Sequence, residues 1–112
     1  MSYVIGIDLG TSSLKGLVVD KKGKVLDQET RNYPLSHPKT GHSEQNPQYW
    51  VEALEEVLKE LISRNEKLKQ ELEGISFSGQ MHSLVLLGED DRPLRDAILW
   101  NDVRTTEECR II

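Results

Sequence analysis

The amino-acid sequence predicts an α/β fold, in which a three-stranded β-meander is followed by a long amphipathic helix and by further strands. Three observations lead to this prediction. Short β-rich segments crowd the beginning of the chain, apolar residues then recur at intervals of three and four, and segments such as YVIGI and ISFSG are as apolar as buried sheet strands. Such a sheet needs cover on both faces, and the sequence supplies one long helix.

The predicted meander consists of strands at Val4–Asp8, Leu14–Asp20 and Lys24–Arg31. Lys21-Lys22-Gly23 joins the last two strands as a hairpin turn, with glycine where a positive φ is expected. The next segment, YPLSHPKTGHSEQNP, is rich in Pro, Ser, Gly and His and follows neither the helical nor the strand period. We therefore expect an ordered loop there.

The long helix is predicted to begin at Asn46-Pro47, because Asn can cap free N–H groups and Pro suits the first helical position. An apolar stripe follows and extends toward Gly74. An alternative for Asn65–Glu73 is a loop or a second short helix, since Asn65 interrupts the stripe. The stripe consists of Trp50, Leu54, Val57, Leu58, Leu61, Ile62, Leu68 and Leu72.

The remaining segments predict shorter elements. Strands are expected at Ile75–Ser78, Leu84–Leu87 and Ala97–Trp100, with a polar turn at Gly88–Pro93 between the last two. The final segment, TTEECRII, has the features of a helix start and ends on two isoleucines. Because one helix covers only one face of the sheet, we expect the chain to be the N-terminal piece of a larger protein.

Composition argues against two classes of partner. The formal net charge is -5 and no basic cluster is evident, which disfavours nucleic acid. The apolar runs are far shorter than the roughly 20 residues that a membrane-spanning helix needs, so we expect no membrane partner. The single Cys109 cannot form an internal disulfide, which favours the reducing cytoplasm.

The first candidate site is the segment YVIGIDLGTSSLKG, where a strand ends on Asp8 and runs into a Gly-Thr-Ser-Ser turn before Lys15. Backbone N–H groups, hydroxyls and a lysine are phosphate ligands, whereas the carboxylate would hold Mg²⁺ beside the phosphates, usually through water. The turn leads into a strand, so it belongs to neither the Walker nor the dinucleotide-binding class of glycine-rich loop. The alternative is an ordinary β-hairpin.

The second candidate site is the segment GISFSGQMHS, a buried-looking strand that ends in Gly-Gln and then presents Met81 and His82. Ligands collect beyond the carboxyl ends of strands in open α/β sheets, so this strand end and the one bearing Asp8 are expected to face one cleft. His82 could hydrogen-bond a polyol while Met81 packs on its carbon face. The alternatives are a structural histidine and an ordinary core methionine.

Four segments in the same order resemble the FGGY family of carbohydrate kinases, and within it the N-terminal region of the xylulokinases. These segments are IDLGTSSLKG, SEQNPQYW, GISFSGQMHS and AILWNDVRTTEEC. The resemblance implies a ribonuclease-H-like fold of the sugar kinase, Hsp70 and actin superfamily, with this chain covering part of the first of two domains. It also implies ATP and Mg²⁺ as cofactors and a sugar bound in the cleft between the domains.

The resemblance assigns roles to matching positions. Asp8 matches the catalytic aspartate that organises metal and phosphates, and Lys15 sits where relatives often carry a basic residue. Met81 and His82 match the pair that contacts the sugar in xylulokinases, where glycerol kinases have Arg-Glu. The phosphate-binding turn matches Gly10, Thr11, Ser12 and Ser13, and a further stretch near the sugar matches Trp100, Asn101, Asp102 and Arg104. For Trp100, core packing is the alternative.

The implied reaction is transfer of the ATP γ-phosphoryl group to the terminal hydroxyl of D-xylulose. In this family the general-base aspartate and the adenosine pocket lie beyond the matched region, so we expect these 112 residues alone to be inactive. A homodimer of the longer protein is a further expectation. The alternatives are another FGGY kinase, acting on ribulose, glycerol or gluconate, and a non-enzymatic nucleotide-binding module of the same superfamily.

Overall fold

The computed structural model describes residues 2–112 and confirms the meander at the start of the chain. Three antiparallel strands pair in the order in which they occur in the sequence. The hairpin turn between the last two has Gly23 at φ 81, a backbone conformation that glycine adopts without steric cost. The strands are β1 (Tyr3–Leu9), β2 (Ser13–Asp20) and β3 (Val25–Asn32).

The helix that follows, α1, spans Pro47–Arg64 and begins as predicted: the side chain of Asn46 accepts a hydrogen bond from the Gln48 N–H at 3.0 Å. The predicted continuation to Gly74 is wrong, and the alternative of a second short helix is confirmed by α2 (Leu68–Glu71). At the break, the Asn65 amide donates to the Leu61 carbonyl at 2.8 Å. The same carbonyl accepts from the Asn65 backbone N–H at 3.1 Å, so the main chain and the side chain of Asn65 both bind the last turn of α1.

The fourth strand of this sheet is β5 (Leu72–Gly79), which is the fifth strand in chain order. It lies on the other side of β1 and runs parallel to it. The sheet order is therefore β3-β2-β1-β5. Because β1 and β5 are parallel, their carboxyl ends lie at the same edge of the sheet. Both predicted site motifs reach this edge: the first turns there between β1 and β2, and the second continues there from β5 into Met81 and His82.

One face of the sheet packs against α1. Alternate residues of β1 point into this core, including Ile5 and Ile7, and they meet Val57 and Leu61 of the helix. The approach is close, since a Cβ atom at Gly16 would lie 2.6 Å from a methyl carbon of Val57. The opposite face carries the intervening β1 residues and remains accessible, with the Val4 side chain 42% exposed.

The polar loop after β3 contains one short strand that the sequence did not predict. This strand, β4 (Glu44–Gln45), pairs antiparallel with β6 (Ala97–Ile98) in a separate two-stranded sheet. The predicted strand at Ala97–Trp100 therefore exists but ends at Ile98. The pairing ties the loop before α1 to the region near the C-terminus.

The predicted strand at Leu84–Leu87 is wrong. The segment forms only isolated bridges, Leu84 with Ile98 and Leu87 with Pro93. Its leucine side chains are largely exposed, and no continuous strand partner lies beside the segment within residues 2–112. The final helix is confirmed as α3 (Thr106–Ile111), with Thr105 at the N-cap position but without a side-chain capping bond. None of the helices in the described chain has the length and apolar character needed to cross a bilayer.

Candidate functional site

A cleft of about 440 Å³ opens at the edge of the sheet where β1 and β5 end. The two strand ends are joined by a hydrogen bond from the Gln80 N–H to the Leu9 carbonyl at 3.0 Å. The cleft thus brings together residues from both predicted motifs and from the predicted stretch after β6. Its lining includes Asp8, Thr11, Gln80, Met81, His82 and Trp100.

The turn that connects β1 to β2 is held in a tight conformation. The Gly10 N–H donates to the Ser13 carbonyl at 2.8 Å, and a Cβ at Gly10 would lie 3.0 Å from that oxygen. The Tyr33 hydroxyl lies 2.5 Å from the Gly10 carbonyl and 2.9 Å from the Ser13 carbonyl. Both carbonyls at the base of the turn are therefore bound to the protein.

The Tyr33 hydroxyl is buried between the loop and the turn, and this burial, together with the nearby Asp8 charge, raises the pKa of Tyr33 to about 12. A neutral hydroxyl is needed here, because only the protonated form can donate to the two carbonyls. The tyrosine was not predicted as a site residue. Its position in a Pro-rich loop gave no periodic signal.

We expect Tyr33→Phe to lower the free energy of unfolding of this chain by about 1–2 kcal/mol at pH 7, because the Gly10 carbonyl loses its donor. The Ser13 carbonyl keeps its hydrogen bond from the Gly10 N–H. Since the pKa of Tyr33 is higher in the folded chain than the ordinary value of 10, its contribution is complete below pH 10 and is lost toward pH 12. Urea unfolding of both proteins at pH 7, 9, 10 and 11 measures this difference.

The stability difference between wild type and Tyr33→Phe should narrow as the pH rises above 10. Comparing the two proteins cancels the titration of the other tyrosines and lysines. Tyr49→Phe, on α1, is the matched control. A difference that stays constant up to pH 11 would contradict the assignment of the raised pKa to Tyr33.

The side of the cleft opposite Asp8 is formed by the residues that follow β5. Met81 is 70% exposed and lies outside the core that residues 2–112 form. His82 is also exposed and has φ 63, a left-handed conformation that only a few per cent of non-glycine residues adopt, although histidine adopts it more often than most. Strain of this kind concentrates at functional sites. Both side chains are therefore accessible to a ligand in the cleft.

Trp100 also lines the cleft and is 57% exposed, so it lies outside the core that residues 2–112 form. Its indole N–H donates to the Thr11 hydroxyl oxygen at 3.2 Å. The same hydroxyl lies 3.4 Å from the Gln80 side-chain oxygen. Thr11 consequently connects the predicted phosphate-binding turn to the predicted sugar side of the cleft.

Asp102 and Arg104 lie in an ion-pair network beside the cleft rather than in its lining. The Asp102 carboxylate accepts hydrogen bonds from Arg104 and from the Ser43 N–H, and Arg104 also binds Glu44. The Arg104 guanidinium holds the pKa of the Asp102 carboxyl well below its ordinary value, and it lowers the pKa of Glu44 as well. Asn101 is exposed and does not line the cleft.

The other predicted phosphate ligands lie next to the cleft. Lys15 pairs with Asp8 across the β1–β2 ladder, and both line an adjoining groove of about 320 Å³ on the accessible face. Ser12 is exposed at the top of the turn, whereas Ser13 is the first residue of β2. The structure therefore places a lysine and a carboxylate side by side at the mouth of the turn.

The residues at the cleft fit a nucleotide phosphate with Mg²⁺. The N–H groups of Thr11 and Ser12 have no hydrogen-bond partner within residues 2–112, so they can bind an anion. No group of three or more His, Cys, Asp or Glu side chains is assembled for a metal in the described chain. One carboxylate suffices for Mg²⁺, which keeps several waters and shares its coordination with substrate phosphates.

Two glutamines, of which Gln80 lines the cleft and Gln45 lies behind it, were not predicted as site residues. Gln80 lies within the GQMHS motif, and its side chain faces Thr11. Gln45 lies in the polar loop and is 1% exposed. The composition of this segment predicted an ordered loop and indicated no buried residue. The partners of the Gln45 amide are distant in the sequence, so no local pattern indicates them.

The comparisons with known proteins agree with this geometry. The sequence model of the N-terminal domain of the FGGY family of carbohydrate kinases matches residues 3–112. The chain is 53% identical to a xylulose kinase of Lactococcus lactis over 112 residues, all of this chain and 22% of the relative. It thus spans about a fifth of the length of the curated relatives that it matches.

Solved structures show the same relationship. The ligand-bound xylulose kinase of Lactobacillus acidophilus is 34% identical with a TM-score of 0.89, over 99% of this chain and 22% of that one. The gluconate kinase of the same organism is also 34% identical, with a TM-score of 0.88, over 98% of this chain and 22% of that one. These similarities confirm the expected ribonuclease-H-like fold of the sugar kinases.

Proposed function

Because the chain belongs to the FGGY family of carbohydrate kinases, we propose that it contributes one wall of the active site to ATP-dependent phosphorylation of D-xylulose. The observation that carries the proposal is the shared cleft, in which Asp8 and Thr11 face Met81 and His82. The product would be xylulose 5-phosphate. In this proposal Asp8 and Thr11 belong to the metal–phosphate side of the cleft, and Met81 and His82 belong to its polyol side.

We further propose that these residues form part of the first domain of a longer kinase. The chain spans 22% of the Lactococcus lactis relative, and the general base and the adenosine pocket are assigned to the part that it does not span. The full-length form is defined as residues 1–112 joined to the rest of the kinase, from its own gene or as a chimera with the Lactococcus lactis enzyme. Experiments on activity refer to this form.

On the phosphate side, each group has a distinct task. Mg²⁺–ATP would supply the phosphoryl group, with the metal neutralising part of its negative charge. Asp8 would hold the metal through water, and the N–H groups of Thr11 and Ser12 would bind phosphate oxygens. Lys15, beside Asp8, adds positive charge at the mouth of the turn. Positioning and charge neutralisation account for most of the catalysis in phosphoryl transfer.

On the sugar side, the exposed Met81 and His82 give the cleft a mixed apolar and hydrogen-bonding wall. A ketose has both features, since its hydroxyls need hydrogen-bond partners and its C–H face packs on apolar atoms. Glycerol kinases have Arg-Glu at these two positions, so the Met-His pair favours xylulose over glycerol. Trp100 would close the cleft from the other side.

Gluconate is the second candidate substrate. The xylulose and gluconate kinases of Lactobacillus acidophilus are equally identical to this chain, so overall fold does not choose between the two sugars. The higher identity to the Lactococcus lactis xylulose kinase favours D-xylulose. The choice then depends on the Met81–His82 wall and on residues outside this chain.

A coupled ADP-release assay on the full-length form tests the function, with D-xylulose, D-ribulose, gluconate, glycerol and no sugar compared. We expect kcat/KM for D-xylulose to exceed that for each other sugar by at least about tenfold, which corresponds to about 1.4 kcal/mol of selectivity. Residues 1–112 alone should release no ADP above background. The unmodified Lactococcus lactis enzyme serves as the control for the chimera.

The outcomes of this assay distinguish the candidate functions. Preference for gluconate or glycerol would reassign the Met81–His82 wall to another substrate. Activity of residues 1–112 alone would contradict the placement of the general base outside this chain. No sugar-dependent turnover in a folded full-length form would favour a non-enzymatic nucleotide-binding role. For location and assembly, we propose a cytoplasmic protein, with a homodimer as the expected state of the full-length form.

A further inference from the structure

A single buried side chain, Gln45, connects the elements that form the cleft. It is the second residue of β4 and immediately precedes the Asn46 cap of α1. Its side chain is 1% exposed. A buried amide is costly unless its polar atoms are hydrogen-bonded, so its partners decide why a glutamine can occupy this position.

The Gln45 amide has hydrogen-bond partners on both of its polar atoms. The Nε2 atom donates to the Thr11 carbonyl at 2.8 Å and to the Pro34 carbonyl at 3.1 Å. The Oε1 atom accepts from the Trp50 indole N–H at 2.7 Å and lies 3.5 Å from the Gln80 amide nitrogen. The orientation is unambiguous, because an indole N–H only donates and a carbonyl only accepts.

These bonds lead directly to the cleft. Gln45 holds the main chain of Thr11, whose side-chain hydroxyl accepts from Trp100 at 3.2 Å and lies 3.4 Å from Gln80. Gln45 itself does not line the cleft. It therefore contacts the phosphate-binding turn and the end of β5 from the buried side, through its hydrogen bonds to Thr11 and Gln80.

We propose that Gln45 is a positioning residue that fixes Thr11 relative to Gln80 and Trp100, and so aligns the phosphate-binding turn with the sugar side of the cleft. The inference rests on the proposed function, because alignment matters only if both sides take part in one reaction. A displacement of about 1 Å between reacting groups can cost on the order of 100-fold in rate. A fixed amide behind the turn prevents such a displacement.

Two substitutions separate the two sides of the amide. Gln45→Glu keeps the oxygen that accepts from Trp50 but places a second oxygen against the Thr11 and Pro34 carbonyls, which repels the turn. Trp50→Phe, the matched control, removes the donor on the helix side and leaves both carbonyl bonds intact. Gln45→Met removes both donors without adding charge, and it serves if the buried carboxylate prevents folding.

The first readout is independent of activity. The chain has two tryptophans, so Trp50→Phe assigns the remaining indole N–H resonance in a ¹H–¹⁵N NMR spectrum of residues 1–112 to Trp100. We expect both Gln45 variants to shift the Trp100 indole resonance, although Gln45 does not contact Trp100. Trp50→Phe should leave that resonance in place. A role of Gln45 confined to anchoring α1 would not move the Trp100 signal.

The second readout is the kinetics of the full-length form. We expect Gln45→Glu and Gln45→Met to lower kcat about tenfold with KM for the sugar changed less than threefold, whereas Trp50→Phe stays within twofold of wild type. An unmoved Trp100 resonance in a folded Gln45 variant, or an unchanged kcat, would overturn the proposal. A shifted Trp100 resonance combined with a wild-type form inactive on all sugars would support the positioning of Thr11 and overturn the proposed function.

Discussion

Asp8→Asn in the full-length form is expected to lower kcat by about 100-fold or more, while KM for the sugar changes less than about threefold. The substitution keeps the shape of the side chain but removes the charge that holds the metal. Asp8 lies at the end of β1 beside the phosphate-binding turn and is exposed to the cleft. The loss should therefore fall on the transferring phosphoryl group and not on sugar binding.

Steady-state kinetics at saturating ATP and Mg²⁺, with D-xylulose varied, measure this effect. Asp20→Asn is the matched control, because Asp20 is another carboxylate at a strand end but binds the N–H groups of Lys22 and Lys24 in the hairpin turn. We expect Asp20→Asn to change kcat less than twofold. Equal losses in kcat and in sugar affinity for Asp8→Asn would contradict its metal-organising role.

His82→Ala in the full-length form should raise KM for D-xylulose by about tenfold or more, with a smaller change in kcat, because the imidazole is the hydrogen-bonding group of the Met81–His82 wall. His82→Gly should have the same effect on KM. Glycine would also relieve the strain of φ 63, so we expect the glycine variant to be about 1 kcal/mol more stable than the alanine variant.

The two variants separate a ligand contact from a backbone effect. Asp91 also has a positive φ, of 61, and lies in the turn after the exposed leucines, so Asp91→Gly is the matched control. This control should gain stability without changing KM. An unchanged KM for D-xylulose in His82→Ala would remove His82 from the sugar site, whatever its effect on stability.

Patterns local in the sequence predicted most of the fold. The apolar run of β1 and the three-and-four spacing around Val57 and Leu61 correspond to the two sides of the core. Asn65 ends α1 where it interrupts the apolar stripe. These features depend on residues close in the chain, where period and capping chemistry decide the structure.

Features that depend on distant pairing were not predicted. The two-residue strand β4 has no period, and it exists because Glu44 and Gln45 pair with Ile98 and Ala97, which lie far away in the sequence. The strand at Ala97–Trp100 was predicted, but its end at Ile98 was not. Conversely, the apolar run at Leu84–Leu87 satisfied a strand pattern but has no continuous partner strand within the described chain. Apolar character alone does not supply the hydrogen-bond ladder that a strand requires.

The candidate site likewise contains residues that were predicted from the sequence and residues that were not. Asp8 and the Met81–His82 pair were predicted because parallel strand ends converge at one sheet edge, which is a rule of topology. Tyr33 and Gln45 were missed because their importance lies in buried hydrogen bonds to the turn. Asp102 and Arg104 were predicted as residues near the sugar, but in the structure they bind each other, and Arg104 also binds Glu44 of β4. Their predicted sugar contacts remain predictions.

The parallel pairing of β1 with β5 has a consequence for the order of folding. The β1–β2 and β2–β3 pairs close short loops, whereas β5 must find β1 across most of the length of the chain. Local hairpins form faster than contacts of high sequence separation. The nascent chain thus completes the Asp8 side of the cleft early, and the Met81–His82 side joins it only after α1 and α2 have emerged.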